Sequence, residues 1–186
     1  VTGLRERVKI YDRPLLCTAI KPMGLTPQHL AGMAYACALG GMDLIKDDHG
    51  ITDQPFCRFE ERVTQCAEAV ARANRETGFS CLYVPNVTGP TDQIVARARF
   101  ATEAGAGGIM ISPGLTGFDA MRQVADDDRV NLPVLSHPTA TGHCVLHPEH
   151  GFSHYLFYGQ LQRLAGADSS IYIQQGGRFQ VRPEDC

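Results

Sequence analysis

The sequence predicts an α/β fold of the (β/α)8 barrel type, with about six βα units in its 186 residues. Three observations lead to this prediction. Short apolar segments alternate with helical ones, the apolar segments are continuous, and polar residues recur where they end. Alternation indicates βαβ units, and continuous apolar strands indicate a parallel sheet covered on both faces. Polar residues at the carboxyl ends of successive strands are typical of barrel active sites.

The first strand is predicted over 14–20, and the helix that follows it over 26–41. Thr26 is a suitable N-cap, Pro27 suits the first helical position, and Gly40 and Gly41 end the helix. Further strands are predicted over 42–45, 80–86, 108–112, 132–137 and 170–173.

Four more helices are predicted, over 59–78, 91–105, 118–126 and 152–167. The helix over 59–78 is amphipathic, and its apolar face is formed by Val63, Ala67, Val70 and Ala71. A doubly wound sheet is disfavoured, because "KPMGLTP" after the first strand is not a glycine-rich phosphate turn. A complete barrel needs eight strands and about 250 residues. We therefore expect residues 1–186 to be a partial catalytic barrel domain without its last two βα units.

Composition limits the partners and the compartment. With 17 basic and 20 acidic residues the net charge is −3, which predicts neither nucleic acid nor a membrane surface as partner. No apolar run is long enough to cross a membrane. The seven cysteines include no C-x-x-C pair, which indicates a reducing, cytoplasmic location.

The stretch "LIKDDHG" ends the second strand with Lys46, Asp47, Asp48 and His49. It is either a solvated turn or a Mg²⁺ site, because Mg²⁺ binds a few oxygen ligands and keeps waters for a substrate to replace. An ammonium repels a cation, so Lys46 fits such a site only as a Schiff base or as a carbamate formed with CO2. A Schiff-base aldolase therefore stays open as an alternative.

Other strand ends carry candidate residues. Lys21 follows the first strand and is a candidate general base. Among the histidines of segment 137–154, His137 alone lies at a strand end and is the best candidate for chemistry, and zinc is disfavoured by their spacing. After the sixth strand, Gly176, Gly177 and Arg178 form either a phosphate-binding turn or a plain one.

Several stretches together resemble the RuBisCO large subunit, and more closely its non-carboxylating relatives, the form IV or RuBisCO-like proteins. The stretches are "RPLLCTAIKPMGLTP", "GGMDLIKDDHGITDQPFCRFEERV", "LYVPNVTG", "LPVLSHP" and "LAGADSSIYIQQGGRF". The resemblance implies a barrel that lacks its last two strands and a separate N-terminal domain. It also implies a homodimer when the protein is full length.

The resemblance implies roles for the strand-end residues. Lys21 matches the lysine that handles the proton at the enolising carbon, and Lys46 matches the carbamylated lysine. Asp48 matches a Mg²⁺ ligand, and His49 stands where the family usually has a glutamate ligand. Asn86 and His137 match an active-site asparagine and the histidine after strand five.

Departures from RuBisCO bear on the reaction. Met23 replaces a second lysine, Pro138 replaces an arginine that holds a substrate phosphate, and Arg178 is only a rough counterpart of the carboxylation lysine. The sequence therefore predicts enolisation of a phosphorylated ketose, such as a 5-methylthioribulose 1-phosphate-type compound, without CO2 fixation. Decarboxylation of a phosphorylated keto-acid sugar and an inactive fragment or scaffold stay open as alternatives.

Overall fold

The computed structural model describes residues 3–147, 149–172 and 184. Six strands lie within this part of the chain: β1 (Cys17–Ile20), β2 (Leu44–Asp47), β3 (Leu82–Val84), β4 (Ile109–Ile111), β5 (Val134–Ser136) and β6 (Ser169–Ser170). The first five predicted strands are confirmed, whereas the sixth, predicted over 170–173, overlaps β6 only at Ser170, because 171 and 172 are not in a strand and 173 lies outside the described residues. Strand β2 extends two residues beyond its prediction and so includes Lys46 and Asp47.

Every strand lies beside its neighbour in sequence. The order is β1-β2-β3 in one sheet and β4-β5-β6 in the other, and all pairs are parallel. A parallel bridge from Asn86 to Met110 joins β3 to β4, so the two sheets continue into one curved surface. Consecutive parallel strands in this order are the arrangement of a (β/α)8-type barrel.

The helices are α1 (Leu4–Val8), α2 (Pro27–Leu39), α3 (Phe59–Thr77), α4 (Thr91–Glu103), α5 (Pro113–Thr116), α6 (Phe118–Ala125) and α7 (Gln162–Leu164). The Thr26 hydroxyl accepts the His29 N–H and caps α2 as predicted, and Gly41 follows with φ +87°. A 3₁₀ helix spans Gly142–Cys144. The predicted helix over 152–167 is instead a π-helix, Tyr155–Leu161, followed by α7.

Three hydrophobic clusters lie among the described residues; a small one is formed by Val145, Phe157 and Tyr158, and the other two hold these layers together. The larger one lies between the strands and the helices, and α3 contributes Val63, Ala67, Val70 and Ala73 to it. Ala71, predicted on the same face, is exposed, because the helical period brings Ala73 inward in its place. The smaller of these two clusters fills the inner face of the strands and consists of Leu44, Val84, Met110 and Leu135.

No helix among the described residues is long and apolar enough to cross a membrane.

Candidate active site

Alternation along β2 separates the functions of its last residues. Leu44 belongs to the inner cluster, so Lys46, two positions on, lies on the same inner face. Asp47 faces the helix layer instead, where its Oδ2 lies 3.0 Å from Arg62 Nε of α3. Asp47 also accepts hydrogen bonds from the Tyr83 hydroxyl (2.7 Å) and the Asn86 N–H (2.9 Å). Asp47 is therefore a structural anchor, and Asp48 is the carboxylate available to a ligand.

Lys46 is half-buried at this strand end. Its ammonium donates to the backbone oxygen of Asp47 at 3.0 Å. Burial lowers the pKa of Lys46 against the opposing effect of Cys17 and Asp48. A lowered pKa increases the fraction of neutral amine, which is the form that reacts with CO2 or a carbonyl group.

Lys21, after β1, meets Asp48, after β2. The Lys21 Nζ lies 3.3 Å from Asp48 Oδ2, and the other oxygen of Asp48 accepts the Gly50 N–H at 2.7 Å. Burial acts to raise the pKa of Asp48, but the Gly50 hydrogen bond and Lys21 together bring it below its ordinary value. Asp48 is thus an ionised carboxylate held in a fixed orientation.

His137 and His49 form a stacked pair across the same end of the sheet. Their ring centroids are 4.6 Å apart, with 18° between the planes. Burial, with the positive charge of Lys46 next in weight, lowers the pKa of His137 to about 4. His137 is therefore a neutral imidazole near pH 7.

The Asn86 side chain is buried and engaged with the chain itself. Its NH₂ group donates to the backbone oxygens of His49 and Ile51, each at 3.0 Å, and its oxygen accepts the Thr88 N–H at 3.1 Å. Asn86 therefore ties down the loop that carries Asp48 and His49. The predicted site residues Gly176, Gly177 and Arg178 lie outside the described residues.

Residues 1–179 match the family described as "Ribulose bisphosphate carboxylase large chain, catalytic domain". The chain belongs to this RuBisCO family. A 2,3-diketo-5-methylthiopentyl-1-phosphate enolase from Bacillus licheniformis is 38% identical, over the whole of this chain and 46% of the enolase. A 5-methylthioribulose-1-phosphate isomerase from Rhodospirillum rubrum is 38% identical, over 99% of this chain and 48% of the isomerase. The chain spans about half the length of these curated RuBisCO-family relatives.

Solved RuBisCO-family structures confirm the predicted fold class. A Rubisco-like protein from Rhodopseudomonas palustris superposes with a TM-score of 0.91 and 35% identity, over 99% of this chain and 51% of that one. A dimeric archaeal Rubisco from Hyperthermus butylicus gives 0.85 and 35% identity, over 90% of this chain and 40% of that one.

A divalent cation, which the RuBisCO family implies, fits these residues when Lys46 carries a carbamate. Among the described residues, no three His, Cys, Asp or Glu side chains are placed to hold a metal. Asp48 Oδ1 and His49 Nδ1 lie 3.8 Å apart and provide two donors. A carbamate on the half-buried Lys46 would provide the third, and its oxygens suit Mg²⁺.

Sequence reasoning missed two groups in this RuBisCO-family site. The first is Arg62, which pairs with Asp47. The signal that could have revealed it is an arginine beside Val63 on the apolar face of α3. The second is Thr139, which contacts the His137 ring. The signal that could have revealed it is its position two residues after a strand-end histidine.

Proposed function

We propose that this chain is the barrel part of a RuBisCO-like enzyme that enolises a phosphorylated ketose of the 5-methylthioribulose 1-phosphate type without fixing CO2. The observation that carries the proposal is the meeting of Lys21, Lys46, Asp48 and His137 at the carboxyl ends of three strands, with Lys21 Nζ 3.3 Å from Asp48. The names of the two relatives, an enolase and an isomerase of methylthio-pentose phosphates, support the same reaction class. The last two βα units and the N-terminal domain would come from a longer protein.

Lys21 is the proposed base. Its side chain is 59% exposed on the open side of the site, where a bound substrate has access to it. It removes the proton next to the substrate carbonyl and returns a proton to the neighbouring carbon. His137 donates a hydrogen bond to a substrate hydroxyl.

Lys46 as its carbamate, Asp48 and His49 would hold Mg²⁺. When bound there, the cation would act as a Lewis acid toward the substrate carbonyl. Asn86, which we predicted to be catalytic, acts through the loop carbonyls of His49 and Ile51 that it holds.

Residues on the open side favour a substrate with less charge than a bisphosphate. Met23 packs beside the metal-site loop, where its sulfur would lie 3.6 Å from a Cβ placed on Gly50. A thioether at this position and Pro138 after β5 give a second phosphate no cationic partner. Gly176, Gly177 and Arg178 are the proposed site for a single phosphate.

The proposed setting is a cytoplasmic homodimer that binds neither nucleic acid nor membrane. The six cysteines in the described part of the chain are free thiols, which is consistent with a reducing compartment. A dimeric relative among the solved structures supports the assembly.

The experiment is proton exchange in D2O, followed by NMR, with Mg²⁺ and bicarbonate present. The substrates are 5-methylthioribulose 1-phosphate and ribulose 1,5-bisphosphate, and the protein is the full-length parent. Exchange of the hydrogen beside the carbonyl is expected with the first compound, and its loss in Lys21→Met and Lys46→Ala. The sequence has three lysines, and the one outside the site is Lys9, which lies by the amino ends of the strands. Lys9→Met is therefore the matched control.

Two further measurements separate the alternatives. With ¹³C-labelled bicarbonate, a carbamate signal that disappears in Lys46→Ala supports the carbamate. Covalent trapping of substrate on Lys46 by borohydride would instead support the Schiff-base aldolase, which the lowered pKa of Lys46 also allows. Absence of exchange with both compounds would reject the proposed substrates and favour the decarboxylase or the inactive scaffold.

A further inference from the structure

The ring of His137 is held from one side by a single residue, Thr139. The Thr139 backbone N–H lies 3.2 Å from His137 Nδ1, and the Thr139 hydroxyl lies 2.6 Å from the same nitrogen. A backbone amide only donates, so Nδ1 must present its lone pair to it. The ring proton of a neutral His137 is then on Nε2.

We propose that Thr139 is a positioning residue that fixes His137 as its Nε2–H tautomer, so that the ring is a hydrogen-bond donor to a substrate oxygen and not a base. The role toward substrate rests on the proposed function, whereas the tautomer does not. Among the described residues, no protein group accepts a hydrogen bond from Nε2 in this arrangement, so the N–H is available to a ligand.

The surroundings keep the ring in this orientation. The His49 ring stacks on one of its faces, and the His137 backbone N–H is anchored on the Ile111 oxygen at 2.9 Å. A half-turn of the ring would replace Nδ1 by a carbon and lose both contacts with Thr139. The loop of Thr139 is itself confined, because a Cβ added at Gly114 would lie 2.3 Å from the backbone oxygen of Thr139.

This arrangement separates two roles within the site. Lys21 is the group that accepts a proton, and His137 offers one without releasing it. A ligand must therefore place an acceptor oxygen, such as a hydroxyl or a carbonyl, against His137 Nε2. A ligand with only an N–H or a C–H group at that point would cover this half-buried donor without pairing it, and binds more weakly.

The test is long-range ¹H–¹⁵N NMR of the protein labelled with ¹⁵N-histidine, without substrate. The signals of His137 are assigned by their loss in His137→Gln. We expect Nδ1 to have the shift of an unprotonated nitrogen and Nε2 that of a protonated one. His29 is an internal reference for a histidine without an amide donor, because within the described part of the chain its Nδ1 contacts only the Thr26 hydroxyl (2.9 Å), on the exposed start of α2.

Two variants separate the amide of Thr139 from its hydroxyl. The hydroxyl can donate to an unprotonated Nδ1 or accept from a protonated one, whereas the backbone amide pairs only with the unprotonated nitrogen. Thr139→Val keeps the amide, and Nε2–H should remain the major form. Thr139→Pro removes the amide proton at a turn position that accepts proline, since the Thr141 N–H donates to the Pro138 oxygen and Ala140 has φ +63°. Relative to Thr139→Val, it should lower the ratio of the Nε2–H to the Nδ1–H form by roughly two- to tenfold, the effect of one hydrogen bond. Protonated Nδ1 in the unmodified protein would overturn the proposal, and so would equal ratios in Thr139→Pro and Thr139→Val. Because no substrate is present, these results are independent of whether the enolase assignment is correct.

Discussion

Replacing Asp47 with asparagine is expected to lower the free energy of unfolding by about 3–5 kcal/mol. Asp47 and Arg62 are both fully buried, with 3.0 Å between Oδ2 and Nε. Burial is the largest effect and acts to lower the pKa of Arg62, but Asp47, with smaller contributions from Tyr83 and Cys57, raises that pKa above its ordinary value, so the guanidinium stays charged. Asparagine has the shape of aspartate but no charge, and so it leaves a buried cation unpaired.

The magnitude follows from the number of donors that depend on this carboxylate. Besides Arg62, the Tyr83 hydroxyl and the Asn86 N–H donate to its two oxygens. An asparagine amide has one acceptor oxygen, so at least one buried donor also loses its acceptor. The loss therefore belongs to the upper part of the range for point mutations.

The assay is urea unfolding followed by circular dichroism, with Asp126→Asn as the matched control. Asp126 lies 2.6 Å from Arg122, but its side chain is 60% exposed, so its loss should cost only roughly 0.2–0.5 kcal/mol. Adding Arg62→Met to Asp47→Asn should recover part of the stability, since no charge then stays buried. Equal losses in Asp47→Asn and Asp126→Asn would refute the reasoning.

Three further predictions concern the loops and the pH dependence. Gly114→Ala should cost about 1–3 kcal/mol and reduce activity, because its Cβ would lie 2.3 Å from the Thr139 oxygen, and thermal unfolding with Gly142→Ala as control would measure it. Asn86→Ala should cost about 2 kcal/mol or more and weaken Mn²⁺ binding, measured by titration calorimetry, because two loop carbonyls lose their donor. Stability should fall as the pH falls from 6.5 to about 4, because the unfolded chain takes up a proton on His137 that the folded one excludes, and this fall should be smaller in His137→Gln.

Each of these predictions has an outcome that contradicts it. At Gly142 the nearest atom to an added Cβ is 3.4 Å away, so equal effects at Gly114 and Gly142 would mean that the loop yields freely. Unchanged Mn²⁺ affinity in Asn86→Ala would mean that the loop keeps its shape without the clamp. Parallel pH curves for His137→Gln and the unmodified protein would assign the acid sensitivity to other groups.

The strands and the main helices could be predicted because apolar runs and helical caps are local signals. These boundaries placed Lys21, Lys46 and His137 at strand ends. The sequence therefore predicted that they lie close together, since the carboxyl ends of parallel strands meet at one edge. The sequence did not distinguish the roles of Asp47 and Asp48. That distinction depends on Arg62, fifteen positions away on a packed helix, and is therefore tertiary.

The role of Asn86 was beyond the sequence for a related reason. An asparagine at a strand end has the same local pattern whether its amide meets a substrate or a loop carbonyl. The path of residues 49–51 decides between these two partners of the Asn86 amide. That path depends on turns that have no fixed sequence pattern. Chain position alone therefore identified the right region but not the right partner.

The strand order also determines how the chain can be assembled. Leu44 pairs with Leu82, Ile109 with Val134, and Leu135 with Ser169, so each strand finds its partner in the segment made just before it. Among the described residues, no strand pairs with a strand that is distant in sequence. A growing polypeptide can therefore dock each βα unit onto the previous one as it leaves the ribosome. The exposed edge of the newest strand is then always the template for the next. The step from β2 to β3 also buries the Asp47 carboxylate against Tyr83, so a nascent chain with asparagine there should stall in a protease-sensitive form at this unit.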